Sequence, residues 1–272
     1  AGNIDIFNPS TVDQISQIRQ AVQQGRLDAT IKVNASPVAS SQFMVFNWNK
    51  ASDPFKQSLF RSDKFRRAMS HLVNRQAVID IVYGGLGIPM YSSVYPVLTQ
   101  WINPKVPKYE YDPKQAAKLL AELGFTKKDR EGYLVDSKGR RIEFNLATNA
   151  GNTQREQIAK LIVDEAKKVG VKVNFQAIDF NTLVGQLLSS GPDRPFDAII
   201  IGLTGGGLDW PFGSNVVPCK GNLHMWNKSG QCLDPRETLM EKLYYQGRTE
   251  LDFKKRVEIG RASCRERVCL YV

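Results

Sequence analysis

"RIEFNLATNAGNTQREQIAKLIVDEAKKVGVKVNFQAIDFNTLVGQLLSSGPDRPFDAIIIGL", from Arg141 to Leu203, decides the fold. "RIEFNLATN" ends a hairpin turned at Ser137-Lys138-Gly139 and reads as a strand. "NTQREQIAKLIVDEAKKVG" reads as a helix and "VKVNFQAI" as a strand. "DFNTLVGQLLSSG" is a second helix with Asp179 or Asn181 near its cap, and "FDAIIIGL" is a third strand. The order strand, helix, strand, helix, strand predicts parallel strands joined by right-handed crossovers.

Toward the N-terminus, "NIDIF" reads as a strand and "PSTVDQISQIRQAVQQG" as a helix with an apolar stripe of Val12, Ile15, Ile18 and Val22, ended by Gly25. "ATIKVNA" and "QFMVFNWN" read as strands. "SDKFRRAMSHLVNRQAVIDIVYGG" reads as two helices broken near Asn74, with Asp63 as N-cap and Gly84-Gly85 as the stop. Leu86 to Tyr111 is a long irregular stretch holding Pro89, Pro96, Pro104 and Pro107, and loops of that length usually serve a purpose. "DPKQAAKLLAELGF" is a helix with Asp112 as N-cap and Pro113 at its first position. "PRETLMEKLYYQG" and "TELDFKKRV" read as further helices.

The last stretch, "EIGRASCRERVCLYV", breaks this pattern. It cuts the segment "TELDFKKRVEI" in mid-course and resembles the conceptual translation of a common sequencing adapter, so 259–272 is read as non-native sequence. Setting it aside removes two net positive charges from a formal +10, and removes Cys264 and Cys269 from four cysteines. The remaining pair, Cys219 and Cys232, spans "CKGNLHMWNKSGQC", which suits a surface hairpin closed by one disulfide or carrying two thiols. The stretch has no Cys-x-x-Cys and one histidine, so a zinc site is poorly supported. The opening "AGNIDIFNP" reads as the middle of a domain without an initiator methionine, and the expectation is that the true N-terminus, with any export signal, lies upstream.

At 42% hydrophobic and 24% charged, the 272 residues have ordinary globular composition. No apolar run approaches the roughly 20 residues of a membrane helix. The lysines and arginines are spread along helices with acids between them, as in "KQAAKLLAELGFTKKDR". That pattern reads as solvated faces, and no nucleic-acid partner is expected.

Catalytic signatures are missing from the sequence. There is no Gly-x-Ser-x-Gly elbow, and the two histidines, His71 and His224, have no His, Asp or Glu partner at metal-ligand spacing. "AIIIGLTGGGLDWPFGSN", Ala198 to Asn215, fails both phosphate templates: it lacks Gly-Lys-Ser/Thr, and Asp209-Trp210-Pro211 turns the chain where a helix would start. The glycines mark either a tight turn or a place where something approaches the backbone closely. A loop at a strand end of an α/β sheet is where ligands tend to bind.

Four stretches, in order, resemble the solute-binding proteins of ABC importers, extracellular solute-binding protein family 5, which includes dipeptide-, oligopeptide- and nickel-binding members. They are "AGNIDIFNP", "FMVFNWNKASDPFKQSLFRSDKFRRAMSHLVNRQAVIDIVYGGLGIP", "YEYDPKQAAKLLAELGF" and "AIIIGLTGGGLDWPFGSN". The resemblance implies an α/β, periplasmic-binding-protein-like (class II) two-lobe fold. Residues 1–40 would be a remnant of the N-terminal lobe and 41–258 most of the C-terminal lobe. It implies capture of a peptide or similar small solute between the lobes, hinge closure, and delivery to the permease subunits of an ABC transporter, with no bond made or broken and no cofactor or metal. It further implies a periplasmic or extracellular protein, free or lipid-anchored, that meets the membrane through its permease.

The ligand contacts that follow from the resemblance are Asn47 at the hinge, Tyr95 in the long loop, and Leu203, Thr204, Gly205, Gly206, Gly207, Asp209 and Trp210 along the cleft edge. Backbone groups would hold the ligand main chain by strand addition, Trp210 would cover it and Asp209 would meet a positive group. The aspartate that holds a peptide amino group in peptide-binding members falls on Gly206 or Gly207 here, which weakens the expectation of a free-amine peptide. A disulfide closes a loop after this segment in those members, and Cys219 with Cys232 fits that place. Nickel, metal-chelate or haem binding by the same fold is the alternative. An α/β enzyme would need Asp209, His224 and another carboxylate in one pocket, and a missing cleft would favour a structural or interaction module.

Overall fold

The computed structural model describes residues 5–9, 12–32, 40–205, 213, 215–263 and 270–271. The stretch that decides the fold forms β4 (Glu143–Asn149), α6 (Thr153–Val169), β5 (Lys172–Ile178), α7 (Phe180–Leu188) and β6 (Ala198–Thr204). β4 pairs in parallel with β5 on one side and β6 on the other. The helix starts follow from their caps: Asn152 accepts from the Arg155 N–H and Asp179 from the Thr182 N–H. Gly170, at φ +93°, ends α6 in the left-handed region that glycine adopts without strain.

β1 (Ser40–Phe46) adds to β6 antiparallel, and β7 (Leu270–Tyr271) adds two residues beyond it. The five-stranded sheet therefore runs β5-β4-β6-β1-β7 and is mixed. A separate pair, β2 (Lys127–Lys128) and β3 (Leu134–Val135), precedes a turn in which Gly139 takes φ +76° and Val135 bridges to Arg141, as the hairpin reading expects.

Helix α1 (Val12–Gln23) leads the chain, and α2 (Pro54–Arg61), α3 (Asp63–Leu72), α4 (Arg75–Tyr83) and α5 (Pro113–Glu122) lie between β1 and the sheet's remaining strands. Phe46 of β1, Phe60 of α2, Phe65 of α3 and Phe144 of β4 meet in one aromatic cluster, with Phe46 centred 5.2 Å from each of the other three rings. Such pairs add roughly 0.5–1.5 kcal/mol each beyond their buried area. α8 (Pro235–Thr249) and α9 (Phe253–Ser263) follow β6 and precede β7. The boundary expected at residue 259 falls inside α9.

Several expectations are corrected. Asp5 to Pro9 and Ala29 to Lys32 are not strands; residues 1–4 and 33–39 lie outside the described residues. A strand needs a partner for its backbone, and no described edge meets either segment. Helix α2 went unforeseen, although Asp53 caps it and Pro54 opens it. Ser62, not Asp63, caps α3, and the Asp63 carboxylate binds Arg67 at 2.6 Å and Arg236 at 2.5 Å instead.

The irregular stretch has its own small core. Met90, Val94, Tyr95, Leu98 and Trp101 cluster, with Val257 and Ile259 of α9 against them. Arg75 fastens the stretch at both ends, donating to Met90 O at 3.0 Å and Tyr109 O at 3.1 Å.

Candidate functional site

The site forms where β4 and β6 part. The two strands pair only at Leu146–Ala198 and Ala147–Ile199. Thr148 Oγ1 then donates to Ile200 O at 2.9 Å. Past that point no described strand covers the β4-facing edge of β6, whereas β1 pairs with its other edge as far as Ser40–Thr204. Ile201 to Thr204 is thus half of a strand ladder, at the carboxyl end of a parallel pair.

Tyr95 stands over the end of this edge. Its hydroxyl donates to Leu203 O at 3.3 Å, and its ring covers Gly205 so closely that a Cβ there would lie 2.5 Å from Cε2. Burial pushes the Tyr95 phenol up, against hydrogen bonding with Ser41 and with the Gly205 backbone. Glycine at 205 is therefore explained by the tyrosine, a link between positions 110 residues apart that spacing alone does not reveal.

Arg155, in the first turn of α6, fills the gap between the parting strands. It donates from Nε to Gln42 Oε1 at 2.9 Å and from NH1 to Asn149 Oδ1 at 2.7 Å. Its NH2 lies where a Cβ at Gly202 would be, 2.8 Å away, so Gly202 makes room for the guanidinium. Both hydrogen-bond partners are neutral amides, and Arg155 has no carboxylate partner among the described residues. Burial lowers its pKa, against the opposing pull of Tyr83. The sequence reading missed Arg155, Gln42 and Gly202, because nothing in the order of residues places Gln42, Arg155 and Gly202 side by side.

Of the expected contacts, the fold brings Tyr95, Leu203, Thr204 and Gly205 together. Asn47 lies at the opposite end of β6, about 20 Å away at the usual strand rise. It is fully buried, and its side chain is committed to the backbone: Nδ2 donates to Phe196 O at 2.7 Å and Oδ1 accepts from the Asn49 N–H at 2.9 Å. Gly206, Gly207, Asp209 and Trp210 lie outside the described residues.

The cysteine loop is not the surface hairpin expected from its composition. Cys219 and Cys232 are bonded, with Cα atoms 5.4 Å apart, but the chain between them folds inward. Trp226 O accepts from the Trp48 N–H at 2.7 Å and Asn49 Oδ1 from the Lys228 N–H at 2.6 Å, which docks the loop on the exit of β1. His224, 1% exposed, packs against Trp226 and places Nε2 3.0 Å from Glu237 Oε1. The histidine does have a carboxylate partner, supplied by α8. The pair is closed to solvent, so it offers no catalytic pocket. His71 has the packed role expected, with Nδ1 2.6 Å from Glu110 O and its ring against Tyr109. Two groups of potential ligating atoms occur here, Cys219–Cys232–Glu241 and Cys219–His224–Glu237, and within each group the atoms lie within 4.8 Å of one another.

Comparison with known proteins places this geometry. The profile of the bacterial extracellular solute-binding proteins, family 5 Middle, matches residues 1–221. A probable ABC transporter-binding protein of Deinococcus radiodurans is 50% identical over 269 residues, 96% of this chain and 45% of that protein. The oligopeptide-binding protein AppA of Bacillus subtilis is 31% identical over 205 residues, 74% of this chain and 34% of that one. The chain thus spans under half the length of these relatives. The structure of B. subtilis AppA in complex with a nonapeptide superposes with a TM-score of 0.70 at 24% identity, covering 93% of this chain and 48% of that one. NikA from Brucella suis in complex with Fe(III)-EDTA gives 0.69 at 17%, covering 94% and 49%. The two structural likenesses are of fold, and the α/β periplasmic-binding-protein class is the one the resemblance implied. The chain belongs to the bacterial extracellular solute-binding proteins, family 5.

Proposed function

We propose that this protein is the solute-binding component of an ABC importer and that it holds a peptide along the open edge of β6. The observation that carries the reading is the unpaired ladder from Ile201 to Thr204, bounded by Tyr95 at one end and Arg155 beside it. An extended peptide adds to such an edge through its own backbone, which gives affinity with little dependence on side chains. Among the described residues, the side chains lining the edge, Ser41, Gln42, Tyr95, Asn149 and Arg155, include no imidazole, thiol or carboxylate. That supports a peptide over a directly ligated metal. Arg155, held by neutral partners, faces the solute as a cation and suits a carboxylate.

In this reading residues 1–40 belong to one lobe and 41–258 to the other. The lobes close on the solute, the closed form docks on permease subunits outside the cytoplasmic membrane, and no bond is made or broken. Asp209 and Trp210, outside the described residues, are taken as further solute contacts on the strength of the resemblance alone.

Native mass spectrometry of the protein purified without refolding tests this. A heterogeneous set of peptide-mass adducts is expected. A clean mass that shifts only on adding nickel, a metal chelate or haem overturns the peptide reading. The Arg155→Ala variant should bind a peptide with a free carboxylate roughly tenfold or more weakly, the cost of one charge-assisted hydrogen bond, while a C-terminally amidated peptide should lose far less.

A further inference from the structure

Helix α8 sets two glutamates, one turn apart, against the cysteine loop. Glu241 Oε1 accepts from the Cys219 N–H at 2.9 Å, and its Oε2 lies 3.5 Å from Cys232 Sγ. A disulfide sulfur carries no hydrogen, so this second oxygen gains no donor from the cystine. Glu237 Oε1 faces His224 Nε2 at 3.0 Å. The two clusters share Cys219, so the Cys232 sulfur, an imidazole nitrogen and two carboxylate oxygens each lie within 4.8 Å of the Cys219 sulfur.

We propose that reduction of Cys219–Cys232 converts this loop into a Zn²⁺ site ligated by Cys219, Cys232, Glu241 and His224. The step is a two-electron reduction. A dithiol closes to its own disulfide, the S–S bond breaks, and each sulfur takes one proton. Zinc then displaces the thiol protons into solvent and binds two thiolates. Two sulfurs, one imidazole and one carboxylate are a tetrahedral zinc set.

The surroundings favour this exchange. The Cα atoms of the two cysteines already lie 5.4 Å apart, so two thiolates reach one ion with little backbone movement. His224 Nδ1 stays on Val216 O at 2.8 Å, which fixes the ring with Nε2 turned toward the helix α8 side of the loop. Glu237 can release the histidine without being orphaned. It also accepts from Trp226 Nε1 at 2.6 Å, Asn227 Nδ2 at 3.2 Å, the Leu233 N–H at 2.5 Å and the Asp234 N–H at 3.1 Å. The sequence argued against zinc because the loop holds one histidine and no close cysteine pair. The missing carboxylates come from a helix outside the loop.

Cobalt(II) titration of the full chain reads the site directly. The disulfide is reduced with a trialkylphosphine, which takes oxygen from water to become the phosphine oxide and leaves both sulfurs protonated. The reduced chain should bind one equivalent of Co²⁺ with a sulfur-to-cobalt charge-transfer band and tetrahedral d–d bands, both erased by added Zn²⁺. The oxidised chain should show neither. Cys264 and Cys269 are removed in a C264S C269S background, in which the bands must persist. Glu241→Gln and His224→Gln should each weaken binding by at least about tenfold while retaining the charge-transfer band. These two variants keep both cysteines, so the test does not depend on the fold of a cysteine-free loop. Absence of the bands in the reduced chain, their loss with Cys264 and Cys269, or Co²⁺ affinity unchanged in Glu241→Gln and His224→Gln overturns the site.

Discussion

At the scale of single residues, Glu237 is wholly buried yet stays ionised. Burial alone would raise its pKa, but hydrogen bonds from His224, the Leu233 N–H and Asn227 outweigh it and hold the carboxyl below its ordinary value of 4.5. A depressed carboxylate stabilises the folded state fully above its unfolded pKa, and the contribution is lost as pH falls through the folded one. Denaturant midpoints should therefore drop as the solution is acidified below about pH 4.5. In Glu237→Gln that part of the acid sensitivity should vanish, at a cost near neutrality of about 3 kcal/mol for breaking a buried pair. An unchanged acid profile in the variant would assign the sensitivity to other carboxylates. Gly205 carries a second prediction. Its Cβ would meet Tyr95 Cε2 at 2.5 Å, and that ring is 8% exposed within a packed cluster. Gly205→Ala should cost roughly 1–3 kcal/mol, the usual range for overpacking. In a Tyr95→Ala background the added cost should disappear, a coupling that a double-mutant cycle measures.

At the scale of elements, what was legible in the sequence follows local chemistry. Asp112 with Pro113, and Asp179 before "FNTL", name helix starts because a capping oxygen acts within three residues of itself. The same rule erred by one residue at Ser62–Asp63, where two good caps stand side by side and the second is taken by Arg67 and Arg236. The described parts of two apolar N-terminal segments, 5–7 and 29–32, are not strands, because pairing is not local. The cysteine loop failed for the same reason: Gly, Asn, Lys and Ser suggest exposure, but Trp226 and His224 are drawn under by Glu237, which belongs to α8. Most of the sheet's middle was legible, whereas the opening between β4 and β6 depends on register and was not. Local capping can be measured at α6. Asn152 Oδ1 accepts from the Arg155 N–H at 3.0 Å. Asn152→Ala should destabilise by about 1 kcal/mol, seen as a lowered melting temperature. Because the same turn carries Arg155, it should also loosen the guanidinium beside Gly202.

For the whole molecule, under the proposed reading, how a solute is held is separate from which solute is held. β6 is gripped by β1 along one edge and abandoned by β4 halfway along the other. Its free half therefore presents peptide groups rather than side chains. The glycines at 202 and 205 are filled from outside by Arg155 and Tyr95, so the edge is lined without being blocked. If a peptide completes the ladder, its backbone N–H groups supply the affinity and its side chains project away on alternate faces. Each ladder bond is worth roughly 0.5–1.5 kcal/mol net. Methylating one ladder-forming backbone nitrogen of a bound peptide removes a donor and adds a clash, so affinity should fall by about tenfold or more. Permuting the peptide's side chains at constant length and charge should change affinity by less than that. Calorimetric titration of the two peptide sets separates the cases: if permutation costs as much as methylation, side-chain pockets select the solute, and the open β6 edge is not what holds it.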